Sequence, residues 1–239
     1  MASFPTIKQD VLGRLSKIYV PKTNALIPIY EAIANSFDSI IDDGVGNEII
    51  VDILREPNAL TLIDSKESCD IIGFKITDNG KGFDTNNFEW FIEIDSMHKS
   101  PFGGKGIGHL TWVKAFAEVK VESIFYENDE FFIRKAQLIE DKNMFTEYSI
   151  DKIESTKPKT SITLMYLKKG YKLPAKSHST LCDLIFCHFL PRILMNPSIS
   201  VIINDNGYST SLNKFLTDTS NQHYNSSFTI ANENLDFFF

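Results

Sequence analysis

Three short stretches of this chain carry residue types that can do chemistry together. The first is Glu31-Ala32-Ile33-Ala34-Asn35-Ser36-Phe37-Asp38. On a helix, Glu31, Asn35 and Asp38 fall within about 60° of one another, beside the apolar stripe rather than opposite it. That edge suits a carboxylate base next to an amide oxygen able to ligate a hard cation such as Mg2+. It equally suits a polar margin on a surface helix. The second stretch is Ile76-Thr77-Asp78-Asn79-Gly80-Lys81-Gly82-Phe83, directly after an apolar run. Asn-Gly is a strong hairpin signal, so an ordinary turn is one reading. A turn does not explain an aspartate at a strand end followed by two alternate glycines. A carboxylate buried there can accept a hydrogen bond from the exocyclic amine of a base, and the glycines let a ring approach the backbone.

The third stretch is Gly103-Gly104-Lys105-Gly106-Ile107-Gly108, which opens a helix. Backbone N–H groups before a helix N-terminus, reinforced by the helix dipole, suit a phosphate. A flexible surface loop is the alternative. The Walker A spacing is absent because Lys105 is followed by glycine. The dinucleotide fingerprint is absent too, since His109 and Thr111 stand where its third glycine would be.

These residues need elements to position them. Tyr30, Ile33, Ala34, Phe37, Ile40 and Ile41 recur at helical spacing and predict an amphipathic helix over residues 27–42, stopped by Gly44 and Gly46. A short helix is expected before it, around residues 9–18. Strands are expected at 48–55, 59–63 and 71–77, then a short helix at 87–94 and another at 110–117. Three β-rich runs follow at 119–126, 130–139 and 161–167. A helix at 180–195 ends before Asn196-Pro197, and a last strand at 200–204 leads into the turn Asp205-Asn206-Gly207. Helices interleaved with runs of adjacent strands, without regular βαβ alternation, predict an α+β sandwich.

Composition narrows the function classes. The 239 residues are enough for one good-sized domain or one domain plus part of a second. Lys plus Arg total 24 against 31 for Asp plus Glu, a net charge of −7, so no overall field draws nucleic acid or an anionic membrane. Nineteen Phe residues require a core or an interface to bury them. Cys69, Cys182 and Cys187 form no CxxC pair and lie at no zinc-ligand spacing, which reads as buried thiols in a reducing cytoplasm. No apolar run approaches the ~20 residues of a membrane span, and the first twenty residues lack a secretory apolar core, so no membrane partner is expected.

Taken in order, Glu31-x-x-x-Asn35, Asp78-x-Gly80-x-Gly82 and Gly103-x-x-Gly106-x-Gly108 closely resemble the boxes of the GHKL superfamily, named for gyrase, Hsp90, histidine kinases and MutL. Lys159-Thr160-Ser161-Ile162-Thr163-Leu164 is similar to the family's late Thr-bearing strand. The resemblance covers about residues 1–170. It implies a Bergerat fold: a two-layer α/β sandwich with a mixed, mainly antiparallel sheet and helices on one face. Residues 171–239 would be a family-specific extension or the start of a transducer-like domain, in an N-terminal portion of a longer protein.

The same resemblance implies ATP as ligand and Mg2+ as cofactor. Glu31 would be the general base, Asn35 would hold the metal, and Asp38 would support the site. Asp78 would bind the adenine amine, with Gly80 and Gly82 packed near the base and Thr160 supporting Asp78. Gly103, Gly106 and Gly108 would donate N–H groups to the phosphates, and Lys99 and Lys105 either touch phosphate or are solvated. His109 departs from the pattern. The implied activity is ATP hydrolysis that drives a lid and homodimer switch, with a client protein or DNA as undetermined partner. A chaperone, a DNA clamp, a topoisomerase subunit and a bacterial ATPase coupled to an effector, as in phage defence, all fit the boxes. A nucleotide-binding regulatory module without catalysis is the alternative. A histidine kinase fits less well, because no His precedes the first box.

Overall fold

A computed structural model describes residues 11–56, 69–93, 108–155 and 157–216, together with the strand pair 225–230 and 233–238. In chain order the elements are α1 (Val11–Lys17), α2 (Ile27–Asp43), β1 (Glu48–Arg55), β2 (Ile71–Asp78), α3 (Thr85–Ile92), α4 (Gly108–Ala115), β3 (Phe116–Glu127), β4 (Glu130–Leu138), β5 (Phe145–Ile153), β6 (Lys159–Leu167), α5 (His178–Met195), β7 (Ser200–Asp205) and β8 (Tyr208–Ser211). A 3-10 turn, Leu212–Leu216, follows, and β9 (Asn225–Ile230) and β10 (Glu233–Phe238) pair antiparallel as a separate two-stranded sheet.

The main sheet has eight strands in the order β5-β4-β3-β6-β2-β1-β7-β8. Every neighbouring pair is antiparallel except β1 and β7, which run parallel. The chain is therefore α+β, a two-layer sandwich of helices on a mixed sheet. Strand periodicity of two sends alternate residues inward. Ile53, Phe74, Leu164, Val119 and Leu138 pair across five strands as one inward row, and Val51, Ile76, Ile162, Val121 and Ala136 form the next. Both rows are buried, and they join one core with Ile29, Ile33 and Phe37 of α2, Trp112 of α4 and Ile185 of α5.

Local signals place the helix ends. Pro28 occupies the first turn of α2, where its missing N–H is harmless, and Gly44 closes the helix in the left-handed region. Asp84 caps α3 by accepting the Asn87 N–H at 2.8 Å, so that helix starts at Thr85, two residues before the expected 87. Ser177 accepts the Thr180 N–H at 3.3 Å and starts α5 at His178 rather than at 180. Helix α4 covers Gly108–Ala115 rather than 110–117, because β3 begins at Phe116 and the Ala115 carbonyl is taken by the Lys168 N–H at 2.8 Å.

Two further expectations change. Ile41 is 44% exposed and lies outside the buried stripe of α2. Strand β5 was not expected, since Phe145–Ile153 is an edge strand whose residues are half-buried or exposed and carries little apolar alternation. The strand expected at 59–63 lies outside the described residues, as do the first residues of the helix expected at 9–18. Among the described residues no helix is long and apolar enough to cross a membrane.

Residues 171–216 extend the same sheet and core. β7 lies against β1, and Leu181, Cys182, Phe189, Ile193, Val201 and Ile203 are buried in the shared cluster. A buried fork ties this part down: Arg55 Nε and Nη2 donate to the two oxygens of Asp205, each at 2.7 Å, with both side chains almost wholly buried. The same guanidinium donates to the carbonyls of Cys69 and Lys176, so it joins four separate segments. Removing the carboxylate by Asp205→Ala should cost about 3–5 kcal/mol in urea unfolding, because it strands a buried cation. Breaking the exposed Lys176–Asp70 pair by Asp70→Asn should leave the unfolding midpoint within error.

Candidate functional site

Beyond the two apolar rows, the inward face of the sheet turns polar. Asp78 of β2 pairs with Thr160 of β6, Thr160 with Ser123 of β3, and Ser123 with Arg134 of β4. All four are buried, none more than 5% exposed. A polar row in that place needs internal partners, since water cannot supply them.

Asp78 finds its partners on two sides. Oδ2 accepts from the Ser36 hydroxyl of α2 at 3.0 Å, and Oδ1 accepts from the Gly80 N–H at 3.0 Å. Burial nevertheless dominates and pushes the carboxyl up to about 6, while those two hydrogen bonds pull the other way. Asn79 does not make a two-residue hairpin. Its Oδ1 accepts the N–H groups of Asn47 and Glu48 at 2.8 and 2.9 Å, and this braces the start of β1, while the chain runs on to α3.

Gly82 has φ +84°, and a Cβ there would overlap the Ile124 carbonyl oxygen. Only glycine lets this segment lie flat against β3 in that conformation. Phe83, next in the chain, is held on both sides of its backbone. Its N–H donates to Ser123 Oγ at 2.8 Å, and its carbonyl accepts from Arg134 Nε at 3.1 Å. Ser123 Oγ also lies 2.8 Å from Thr160 Oγ1. Arg134 has no carboxylate partner among the described residues. Its charge sits instead 4.2 Å from the Phe88 ring centroid and 5.1 Å from that of Phe125, and its Nη1 donates to the Tyr148 hydroxyl at 2.5 Å.

Glu31 and Asn35 are half-buried, one turn apart on α2, the helix that supplies Ser36 to Asp78. Glu31 reaches α4, whose first residue is Gly108, and a Cβ on Gly108 would lie 2.5 Å from Glu31 Oε2. The first box and the last glycine of the third therefore meet directly. His109, one residue on, is buried, its ring 4.9 Å from that of Phe91 in α3, and burial lowers its pKa to about 4.

Asp38 goes elsewhere. Its carboxylate accepts from Arg192 Nη1 at 2.6 Å, and the same nitrogen donates to the Ala34 carbonyl, so Asp38 ties α2 to α5. Thr160 stands beside Asp78 in register, but its hydroxyl partner is Ser123. Lys99, Gly103, Lys105 and Gly106 lie outside the described residues. Among the described residues no group of three or more His, Cys, Asp or Glu is placed to hold a metal ion.

Sequence reading missed Ser36, Ser123 and Arg134. The signal for the last two was present: each interrupts a strand at an inward position, between Val121 and Phe125 and before Ala136. No family model matches this chain, and no curated protein gives a significant match.

The two shifted groups act on stability in opposite directions. Asp78 binds its proton more tightly when folded, about 6 against an ordinary value near 3.9, so its contribution is present at low pH and is lost as pH rises through about 6. His109 binds its proton less tightly when folded, so its contribution is present above about 6.5 and is lost as pH falls through about 4. Asp78→Asn removes the opposing contribution. Thermal unfolding between pH 6.5 and 4 should therefore show a steeper acid loss in that variant than in the wild type, and an equal slope would mean that Asp78 does not take up its proton in the folded state.

Proposed function

We infer that this chain binds ATP with Mg2+ and hydrolyses it. The observation that carries the reading is Asp78, a buried carboxylate braced by Gly80 and by Ser36 of α2, the helix that also carries Asn35 and Glu31, beside a glycine-walled turn. A carboxylate so placed suits the donor amine of adenine. The order of the three boxes, resembling the GHKL arrangement, supports the same ligand.

The donor set also suits the metal. Mg2+ takes few protein ligands and keeps phosphate and water oxygens, so one amide oxygen from Asn35 is enough, without a carboxylate cage. When bound, it supplies charge neutralisation for the phosphates. Glu31 is the residue to orient the attacking water and take its proton. Its closeness to Gly108 brings it to the N-terminus of α4, where backbone N–H groups favour phosphate oxygens. Hydrolysis is then mostly positioning and electrostatics, and its output would be a lid and dimer switch.

Thermal unfolding with and without ATP and Mg2+ tests binding, since ligand at ~100 times Kd adds about 2.7 kcal/mol. Absence of any shift up to millimolar ATP would remove the reading. Two variants then separate chemistry from binding. Glu31→Ala should lower kcat by roughly 10²–10⁴-fold with Kd for ATP within a few fold. Asn35→Ala should weaken both, because the metal it holds is present in the ground state as well as the transition state. If the two residues form a plain polar edge, neither change moves kcat or Kd.

A further inference from the structure

Ser123 sits in mid-strand with no exposed surface, and its hydroxyl has two partners. One of them is fixed. The Phe83 backbone N–H can only donate, so Ser123 Oγ accepts there at 2.8 Å. The second partner, Thr160 Oγ1 at 2.8 Å, can in principle give or take the shared proton. If Thr160 gave it, the proton of Ser123 would have no acceptor among its described partners, at a site closed to water. An unsatisfied buried hydroxyl is costly. With an acceptor facing Thr160, every hydroxyl proton is answered only when Ser123 gives its proton to Thr160 and Thr160 gives its own to that acceptor.

Thr160 then accepts from Ser123 and keeps its own proton to donate elsewhere. Thr160 is adjacent to Asp78 across the β2–β6 ladder, and the two Asp78 oxygens accept from Ser36 and Gly80. The site therefore presents one donor, the Thr160 hydroxyl, next to one acceptor, the Asp78 carboxylate. The pairing edge of adenine offers an acceptor at ring nitrogen N1 next to a donor amine at C6. Guanine offers the reverse on both atoms, an N–H at N1 and a carbonyl at C6. A site whose polarity is set one way rejects the other base through two mismatched groups at once.

We propose that Ser123 is a specificity-determining positioning residue: held by the Phe83 N–H, it fixes the Thr160 hydroxyl as a donor and so sets the site for adenine against guanine. This rests on the ATP reading above. Arg134 supplies a control, since it holds the Phe83 carbonyl without entering the hydroxyl chain.

The test measures Kd for ATP and GTP, with Mg2+, in the wild type, Ser123→Ala and Arg134→Lys, and Kd of the wild type for 1-deaza-ATP, which lacks the N1 acceptor. The wild type should prefer ATP over GTP and bind 1-deaza-ATP about tenfold more weakly than ATP. Ser123→Ala frees the Thr160 hydroxyl to turn, and the ATP:GTP ratio should fall about tenfold. Arg134→Lys should weaken both nucleotides by the same factor and keep the ratio. An unchanged ratio in Ser123→Ala overturns the proposal while leaving ATP binding in place, as does a fall in Arg134→Lys as large as that in Ser123→Ala. Equal wild-type binding of ATP and 1-deaza-ATP also overturns it, and needs no variant to fold. A wild type that binds neither ATP nor GTP removes the ATP reading itself, and this inference with it.

Discussion

A carboxylate at the inner face of a sheet has to be answered by groups around it, and Asp78 sets that demand here. It continues a face whose neighbouring rows are wholly apolar, and burial raises its pKa to about 6 against the pull of its two hydrogen bonds. Ser36 answers it from the helix layer, and Gly80 answers it from the turn that follows. One side chain thus fixes the distance between α2 and β2 and the path of the chain leaving β2. Asn35 and Glu31 share the helix that Ser36 anchors, so their placement follows from the same contact.

The polar row also explains an unusual cation. Arg134 is buried without a carboxylate partner among the described residues and rests among Phe88, Phe125 and Tyr148. Aromatic faces and a carbonyl offset its desolvation only in part, and a purely apolar residue would pack there more easily. What the guanidinium gains is a grip on the Phe83 carbonyl, with Ser123 holding the N–H of the same residue. The ring of Phe83 meets Phe88 and Phe91, and Phe91 meets His109. The glycine turn, α3 and the start of α4 are thereby linked through one aromatic cluster, which accounts for part of the high phenylalanine content.

A second buried polar contact holds the other side of the sheet. The Arg55–Asp205 fork joins the ends of β1 and β7 and gathers two loop carbonyls. Arg192 of α5 reaches back to Asp38 and Ala34 on α2. Residues 171–216 are in this way built into the sheet and helix layer that hold the site. The tie to Asp38 acts on the helix that carries Glu31.

Much of this was legible in the chain itself. Helical spacing from Tyr30 to Ile40 and alternation through β1, β3 and β7 produce the elements, because burying an apolar stripe or face is the main driving force open to such patterns. Resemblance to the GHKL boxes pointed to Glu31, Asn35, Asp78, Gly82 and Gly108 among the expected site residues. Partners were not legible, since a hydrogen bond between Ser36 and Asp78 spans 42 residues and one between Arg55 and Asp205 spans 150, and no local pattern encodes such pairings. Asp38 looked like part of the site by its helical angle, and only the packing of α5 on α2 turned it to Arg192. Strand β5 escaped notice because an edge strand faces water and needs little apolar alternation. The row Asp78-Thr160-Ser123-Arg134 exists only through register: each residue belongs to a different strand, and strand pairing alone brings the four into line.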